Sequence, residues 1–350
     1  MIREAFLYSR NEDQSVQCSL CAHRCVIAPE RFGICGVRGN RDGTLYSMVY
    51  GTLIAEHVDP IEKKPFFHVL PGSRSYSVAT VGCNFRCAFC QNASISQSPQ
   101  KTRMIPGEDV SPGAIVDQAI RAGCQSVAYT YTEPTVYFET AYETAAIAHD
   151  RGLLNLFITN GFMTSEALKM IEPYLDAANV DLKSFRDEFY KKYCGGRLNP
   201  VLETLRCMKT LGIWVEITTL LIPGLNDSED ELRDIAAFIA GLGKEISWHI
   251  SRFHPQYKMP DRPATPVSSL HRAMEIGHEA GLHYVYSGNV PGDKGENTLC
   301  SNCKTVLIER YGYQIRAVRL DTGRCNVCQA PFDGIVELNP QSTFDKRSKQ

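Results

Sequence analysis

No stretch of this 350-residue chain approaches the roughly 20 apolar residues in succession that a membrane-spanning helix requires. Its first eleven residues carry charges and lack the apolar segment of a secretion signal. A strong net charge is also absent, because 37 Lys and Arg oppose 39 Asp and Glu, and the basic residues are spread along the chain. We therefore expect a cytoplasmic protein with no membrane partner, and nothing in the charge pattern points to nucleic acid.

Cysteine is abundant by contrast, with 14 residues. A reducing cytosol disfavours a disulfide framework, so clustered cysteines there usually bind metal. Three of them stand alone, at Cys124, Cys194 and Cys207, and the first and third of these fall in helical segments as small core residues. The remaining cysteines form three groups: Cys18, Cys21, Cys25 and Cys35; Cys83, Cys87 and Cys90; and Cys300, Cys303, Cys325 and Cys328.

Between the outer groups, short β-branched runs alternate with segments of helical period, which predicts βαβ units and a parallel sheet. The predicted strands are residues 76–80, 126–129, 154–158, 178–181, 214–221 and 246–250, with a further strand at 283–286. The predicted helices are residues 111–122, 135–151, 165–174, 201–211, 228–242 and 267–280.

Six βα units are fewer than the eight of a closed TIM barrel, so the fold class is α/β with a partial, laterally open (β/α)6 TIM-like barrel. Small cysteine-rich modules flank it. The predicted divisions are an N-terminal module over residues 1–73, the barrel over 74–290, a zinc-ribbon-like module over 291–341 and a disordered tail over 342–350.

The central cysteines form a C-x3-C-x2-C loop directly after the first predicted parallel strand. Three thiolates at this spacing can bind three irons of a 4Fe-4S cluster and leave the fourth open. A structural zinc site needs four protein ligands, and this loop offers no fourth Cys or His. A site completed by a distant residue is the alternative that the spacing leaves open.

This loop resembles the signature of the radical S-adenosylmethionine (SAM) superfamily, with Phe89 at the aromatic position near the SAM adenine. The resemblance implies that Cys83, Cys87 and Cys90 hold a catalytic 4Fe-4S cluster. It also implies that the bound SAM is split reductively to a 5'-deoxyadenosyl radical, which abstracts hydrogen from a substrate. The resemblance further implies that the chain is an oxidoreductase and that it needs an electron donor such as flavodoxin or ferredoxin.

Polar residues follow the later strands at the same barrel rim, where active sites of this architecture form. After the second strand, Glu133 stands where the superfamily binds the SAM amino group; alternatively, Thr132 caps a helix with Pro134 in its first turn. The order of strand ends resembles the glycyl-radical-enzyme activases, including the pyruvate formate-lyase activating enzyme. That resemblance implies that Asn92, Asp181, Lys183 and His254 contact the cofactor or the substrate. Asn160, at the end of the third strand, belongs to the same set.

The flanking cysteines predict further metal sites. Cys300, Cys303, Cys325 and Cys328 form two C-x2-C knuckles around a hairpin-length insert, which favours zinc, with iron as the alternative. Cys18, Cys21, Cys25 and Cys35 favour zinc and a second iron-sulfur cluster equally, and His23 is an alternative fourth ligand. Cys194, in a segment expected near the barrel mouth, is a candidate catalytic thiol.

The opening C-x-L-C-x-H-R-C segment, residues 58–65, residues 67–73 and the terminal knuckles together resemble the radical SAM protein of the AmmeMemoRadiSam system. This resemblance implies AMMECR-type and Memo-type partners. Gln91 stands where the formate-lyase activase has histidine, so that enzyme's protein substrate does not transfer directly. Two alternatives remain beside glycyl radical formation on a protein: radical modification of RNA or a small molecule, and a non-catalytic, metal-braced binding or electron-transfer protein.

Overall fold

A computed structural model describes residues 1–338 of the chain, so the predicted tail at 342–350 lies outside the described residues. Eight strands form one central sheet in which spatial order follows chain order. Their bounds are Ala55–Pro60 (β1), Arg74–Ala79 (β2), Ser126–Tyr129 (β3), Leu154–Thr159 (β4), Ala177–Asp181 (β5), Trp214–Leu221 (β6), Ser247–Arg252 (β7) and Val285–Gly288 (β8).

The strands β2 to β8 are parallel, and β1 pairs antiparallel with β2. In the part of the chain that the structure describes, β1 and β8 do not pair with each other, so the sheet stays open. Residues of β3 are buried on both faces, as expected for parallel strands covered by helices. The predicted partial barrel is therefore confirmed, with the further strand at 283–286 present as β8.

Six longer helices cross between consecutive parallel strands. Their bounds are Pro112–Arg121 (α1), Phe138–Asp150 (α2), Ser165–Ile171 (α3), Leu198–Thr210 (α4), Glu229–Leu242 (α5) and Val267–Glu279 (α6). Shorter helical segments are Ile61–Lys63, Ala93–Ser96, Ser98–Thr102, Pro134–Tyr137, Asp187–Phe189, Tyr190–Cys194 and Lys294–Glu296. None of the helices among the described residues is long and apolar enough to cross a membrane.

Local sequence explains where these helices begin. Ser111 precedes α1 and its hydroxyl accepts a hydrogen bond from the amide of Ala114 at 3.2 Å. Thr164 does the same for α3, where it accepts from the amide of Ala167 at 3.3 Å. Each hydroxyl satisfies an amide that the first helical turn leaves without a backbone partner.

The N-terminal region folds into short antiparallel strands packed on the barrel. These strands are Arg3–Glu4, Tyr8–Arg10, Val16–Cys18, Val26–Ile27, Arg38–Arg41, Thr44–Ser47 and Thr52–Leu53, the last paired with Glu108–Asp109. A fully buried ion pair connects this region to α2, with 2.8 Å between Arg38 Nη1 and Glu139 Oε1. The predicted module boundary at residue 73 stays a prediction, and β1, which precedes it, pairs along β2 in the central sheet.

The C-terminal region carries the hairpin predicted between the cysteine pairs. Val306–Tyr311 and Gln314–Val318 pair antiparallel, and Thr298–Leu299 joins them as a third strand. A second small hairpin pairs Leu320–Asp321 with Arg324–Cys325. This arrangement places the two C-x2-C knuckles at one end of a small antiparallel sheet.

A buried polar network near the amino ends of the strands joins the C-terminal region to the barrel. Glu216 of β6 accepts hydrogen bonds from the amides of Phe67 and His68 at 3.1 and 2.9 Å, and from His249 Nε2 at 2.7 Å. Arg310 Nη2 donates to the carbonyl of Phe67 at 2.9 Å. Because this end of such a barrel carries stability and the opposite end carries chemistry, we assign the network a structural role.

Candidate active site

The loop over residues 81–92, called the central loop below, follows the carboxyl end of β2 and is held from two sides. The amides of Arg86 and Ala88 donate to the carbonyls of Cys194 and Tyr193 at 2.7 and 2.8 Å. The amide of Lys258, beyond β7, donates to the carbonyl of Ala88 at 3.0 Å. The backbone of the central loop is thus fixed by segments that follow two other strands.

Two of its cysteine sulfurs have polar neighbours. Cys83 Sγ accepts from the amide of Phe85 at 3.3 Å and from Asn160 Nδ2 at 3.8 Å. Cys90 Sγ lies 3.3 Å from Ser96 Oγ. Burial raises the pKa of both thiols, so their thiolate forms depend on bound metal.

The third sulfur differs because it has a thiol partner. Cys87 and Cys194 are both buried and share a side-chain hydrogen bond, which lowers the pKa of Cys87. The positive charge of Lys183 acts in the same direction. Burial, and then the hydrogen bond to Cys87, raise the pKa of Cys194 well above its usual range. The two thiols therefore interact, and this interaction favours the thiolate form of Cys87 over that of Cys194.

The spacing of the central sulfurs bears on what they can hold. Within residues 1–338, the one group of three or more potential ligands whose atoms all lie within 4.8 Å of one another is Cys300, Cys303, Cys325 and Cys328. Cys83, Cys87 and Cys90 are spread more widely than the ligands of a single ion. An iron-sulfur cluster binds each thiolate on a different iron, so the all-sulfur donor set and its spread fit such a cluster.

Glu133 lies beside this loop, 1 % exposed, at the end of β3. Its Oε1 accepts from the amide of Thr135 at 3.1 Å and from Thr159 Oγ1 at 2.7 Å, and its Oε2 accepts from the amide of Asn160 at 2.8 Å. Burial raises the pKa of Glu133 against the lowering effect of these hydrogen bonds. Oε2 has a single donor and so retains capacity for another, such as an amino group.

The helix cap predicted here was assigned to the wrong residue. Thr132 Oγ1 donates to the carbonyl of Thr80 at 2.8 Å, and the side chain of Glu133 caps the helix Pro134–Tyr137. The reason is geometric: Glu133 is the last extended residue before that helix, so its carboxylate reaches the amide two residues on.

A charged pair lies at the carboxyl end of β5. Lys183 Nζ lies 2.9 Å from Asp181 Oδ2 and 5.7 Å from the ring centre of Phe89. Burial lowers the pKa of Lys183, but attraction to Asp181, Cys87 and Cys194 outweighs it and raises the pKa well above its usual range. A permanent cation therefore faces the central loop, while the Asp181 side chain is 37 % exposed at the rim.

The remaining predicted contacts lie at the same rim. Asn92 Nδ2 donates to the carbonyl of Tyr131 at 2.7 Å, joining the end of the central loop to the segment after β3. His254 follows β7 and is exposed. Two residues further on, Gln256 Nε2 donates to the carbonyl of Phe89 at 3.2 Å. Asn92, Glu133, Asn160 and Lys183 thus lie around one loop, whereas His254 is placed only by its position after β7. The individual roles of these residues stay predictions.

Sequence reasoning missed several residues that contact the loop. Asn84 Oδ1 accepts from Asn160 Nδ2 at 2.7 Å, and Ser96 lies against Cys90. Gln97 Nε2 donates to the carbonyl of Phe85 at 3.1 Å. Asn84 stands inside the cysteine motif and could have been found there. Ser96 and Gln97 follow it as ordinary polar residues of a short helix, with no signal of their own.

Replacing Cys194 by alanine should lower the reduction potential of the cluster at Cys87 by roughly 50 mV, because a thiolate loses a hydrogen bond of ~1 kcal/mol that stabilises the reduced state. Cys194→Ser keeps a donor and should restore most of the shift. A potentiometric titration followed by electron paramagnetic resonance (EPR) measures it. A variant that binds fewer irons would instead show that Cys194 is a ligand.

The outer cysteines lie in two different arrangements. In the C-terminal quartet (Cys300, Cys303, Cys325 and Cys328), the sulfur distance is 3.6 Å between Cys300 and Cys328 and 3.7 Å between Cys303 and Cys325. In the N-terminal quartet (Cys18, Cys21, Cys25 and Cys35), the four residues line one cavity together with His23. The first arrangement brings four thiols close enough together to hold one metal ion.

An open α/β barrel with three cysteines in the loop after its first parallel strand is the arrangement that the resemblance to the radical SAM superfamily predicts. The chain belongs to the radical SAM superfamily, whose family model matches residues 77–239. An uncharacterized protein of Methanocaldococcus jannaschii is 47% identical over 338 residues, which is 96% of this chain and 100% of that protein. The superfamily assignment made from the central loop is thereby confirmed.

More distant proteins agree with this assignment. The pyruvate formate-lyase-activating enzyme of Clostridium pasteurianum is 21% identical over 49% of this chain and 71% of its own length. The structure of Streptococcus suis SuiB bound to S-adenosylmethionine covers 65% of this chain and 53% of its own, with a TM-score of 0.50 and 14% identity. The latter likeness concerns the fold alone.

Proposed function

We propose that this chain cleaves SAM reductively at a 4Fe-4S cluster held by Cys83, Cys87 and Cys90. The observation that carries the proposal is the central loop, which places three spread sulfurs at the carboxyl ends of the parallel strands, beside a buried carboxylate and a half-buried cation. When bound, the reduced cluster supplies one electron to SAM, which releases methionine and a 5'-deoxyadenosyl radical.

The residues of this chain bind and orient SAM. Glu133 Oε2, which has one hydrogen-bond donor, suits the amino group of SAM, and Lys183 suits its carboxylate. Phe89, buried beside Lys183, offers a ring face to the adenine. Because these groups are largely buried, they also keep water away from a radical.

We further propose that the substrate is a protein, from which the 5'-deoxyadenosyl radical takes one hydrogen atom of a glycine to give 5'-deoxyadenosine and a glycyl radical. The similarity to an activating enzyme and the open edge of the sheet support this substrate class. The partners proposed are a flavodoxin or ferredoxin as electron donor, and AMMECR-type and Memo-type proteins. For the C-terminal quartet we propose zinc, because four converging thiolates complete its tetrahedron.

Anaerobic reconstitution followed by reduction with dithionite tests the first proposal. Addition of SAM should change the EPR signal of the reduced cluster and release 5'-deoxyadenosine and methionine in equal amounts. A reducible cluster whose signal ignores SAM and that yields neither product would refute SAM cleavage. A glycyl radical signal on an added AMMECR-type or Memo-type protein tests the substrate class separately.

A further inference from the structure

The N-terminal quartet lies between the short antiparallel strands and the barrel. Cys18 and Cys35 are buried, whereas Cys21 and Cys25 are half-buried. The amide of Cys18 donates to the carbonyl of Cys25 at 2.9 Å, which fixes two members of the quartet against each other. All four cysteines line the same cavity.

Their sulfurs nevertheless do not converge on one point. Zinc with four thiolates at about 2.3 Å holds the sulfurs about 3.8 Å apart, and the C-terminal quartet matches this spacing. Among residues 1–338 no other set of three sulfurs lies within 4.8 Å of one another, so the N-terminal quartet is wider than a zinc site. The sulfurs of Cys83, Cys87 and Cys90 are spread in the same way, and those residues form the iron-sulfur motif of the superfamily.

His23, the alternative fourth ligand, forms a hydrogen bond with the central loop through one ring nitrogen. Its Nε2 lies 2.8 Å from the carbonyl of Asn84, and because a carbonyl only accepts, this nitrogen carries the hydrogen. Its ring packs against Phe162 with 4.8 Å between ring centres. The hydrogen bond from Nε2 leaves Nδ1 as a potential metal ligand, as in sites whose histidines donate their other N–H to a carbonyl. Cys35 is buried on the wall of the same cavity, and iron-sulfur clusters are held by four thiolates, so we take Cys35 as the fourth ligand.

The segment that carries the quartet also touches the central loop on both sides of Cys83. Gly82 has a φ of +100°, and a Cβ built there would lie 2.6 Å from Val37 Cγ1 and 3.3 Å from the carbonyl oxygen of Cys35. On the other side, Asn84 accepts from His23. Only glycine permits so close an approach at position 82. The N-terminal quartet and the central cysteines are therefore neighbours, because Gly82 and Asn84, which flank Cys83 in the chain, contact Cys35 and His23.

We propose that Cys18, Cys21, Cys25 and Cys35 hold a second 4Fe-4S cluster, which passes electrons to the cluster at Cys83, Cys87 and Cys90. The relay rests on the function proposed above, whereas the metal site does not. One electron leaves the reduced second cluster and enters the oxidised catalytic cluster, with no bond made or broken. The second cluster is reduced in turn by a low-potential one-electron carrier protein.

The metal site is tested in the full chain carrying Cys83→Ala, Cys87→Ala and Cys90→Ala together. After anaerobic reconstitution this variant should still hold about four irons and four sulfides per chain, with a reduced EPR signal that SAM leaves unchanged. Adding Cys18→Ala and Cys35→Ala to this triple variant should remove both the bound iron and sulfide and the EPR signal. A triple variant that holds zinc at two ions per chain and no sulfide would overturn the proposal.

The reverse variant, Cys18→Ala with Cys35→Ala alone, separates this proposal from the proposed function. It should keep about four irons and an EPR signal that responds to SAM, while reduced flavodoxin should reduce the catalytic cluster at least tenfold more slowly than in the wild type. An unchanged rate would refute the relay. Loss of the SAM response in the wild type would refute SAM cleavage and leave the metal site standing. Cys124→Ala, a buried cysteine outside all three groups, is the matched control for both experiments.

Discussion

Cys87→Ala should lower the rate at which 5'-deoxyadenosine is released from SAM by at least ~10³-fold. This corresponds to an increase of about 4 kcal/mol in the activation barrier, at 1.36 kcal/mol per factor of ten. Cys87 is the most buried of the three central cysteines and receives the hydrogen bond of Cys194. Alanine removes one of only three protein ligands, so the cluster loses both its anchor and its orientation toward the strand ends. Product release is measured under anaerobic conditions with dithionite.

Cys207→Ala is the matched control, because Cys207 is a half-buried cysteine in α4 that belongs to none of the three groups. It should retain full activity and the wild-type iron content. Product release within tenfold of the wild type in Cys87→Ala would contradict the ligand assignment. Iron and sulfide counts on the same samples distinguish a lost cluster from a misfolded chain.

The parallel strands were predictable because their sequences are short apolar runs. Ser126–Tyr129 and Trp214–Leu221 agree with the prediction at both ends. The strand Ala55–Pro60 was missed because it is an edge strand in which only Asp59 is buried and which ends in proline, so it lacks the apolar run of its neighbours. Helix α4 begins at Leu198, ahead of the predicted residue 201, because Pro200 is tolerated in a first helical turn.

The sequence predicts those parts of the site whose residues lie close together along the chain. The spacing of Cys83, Cys87 and Cys90 indicates a cluster without any structure, since the ligands lie in one loop. The hydrogen bond between Cys87 and Cys194 has no such signal, because it depends on how the segment after β5 folds over that loop. The same holds for Glu216, a single acidic residue in an apolar strand whose partners come from distant segments.

Glu216→Ala should destabilise the fold by about 3–5 kcal/mol, the usual cost of breaking a buried ionic network by removing one partner. Alanine would leave the amides of Phe67 and His68 and the ring of His249 without their acceptor, far from water. The segment that carries Phe67 also binds Arg310, so the contact with the C-terminal region should loosen as well. The denaturation midpoint in urea, compared with that of the wild type at pH 7, measures the effect.

Glu216→Gln is the control that separates charge from shape, since it keeps an acceptor oxygen at nearly the same volume. Burial raises the pKa of Glu216, but its interaction with His249 and the hydrogen bond from the amide of Phe67 outweigh it and hold the pKa below its usual range. A carboxyl with a lowered folded-state pKa stabilises the fold above its unfolded pKa, and this contribution is lost as the pH falls through the folded value. Because the carboxyl stays ionised in both states down to about pH 5.5, the stability difference between wild type and Glu216→Gln should not shrink between pH 7 and that pH. A difference that shrinks over this range would mean that Glu216 is protonated in the folded protein. For Glu216→Ala, a decrease of less than ~0.5 kcal/mol in the free energy of unfolding would show that the network does not hold the C-terminal region to the barrel.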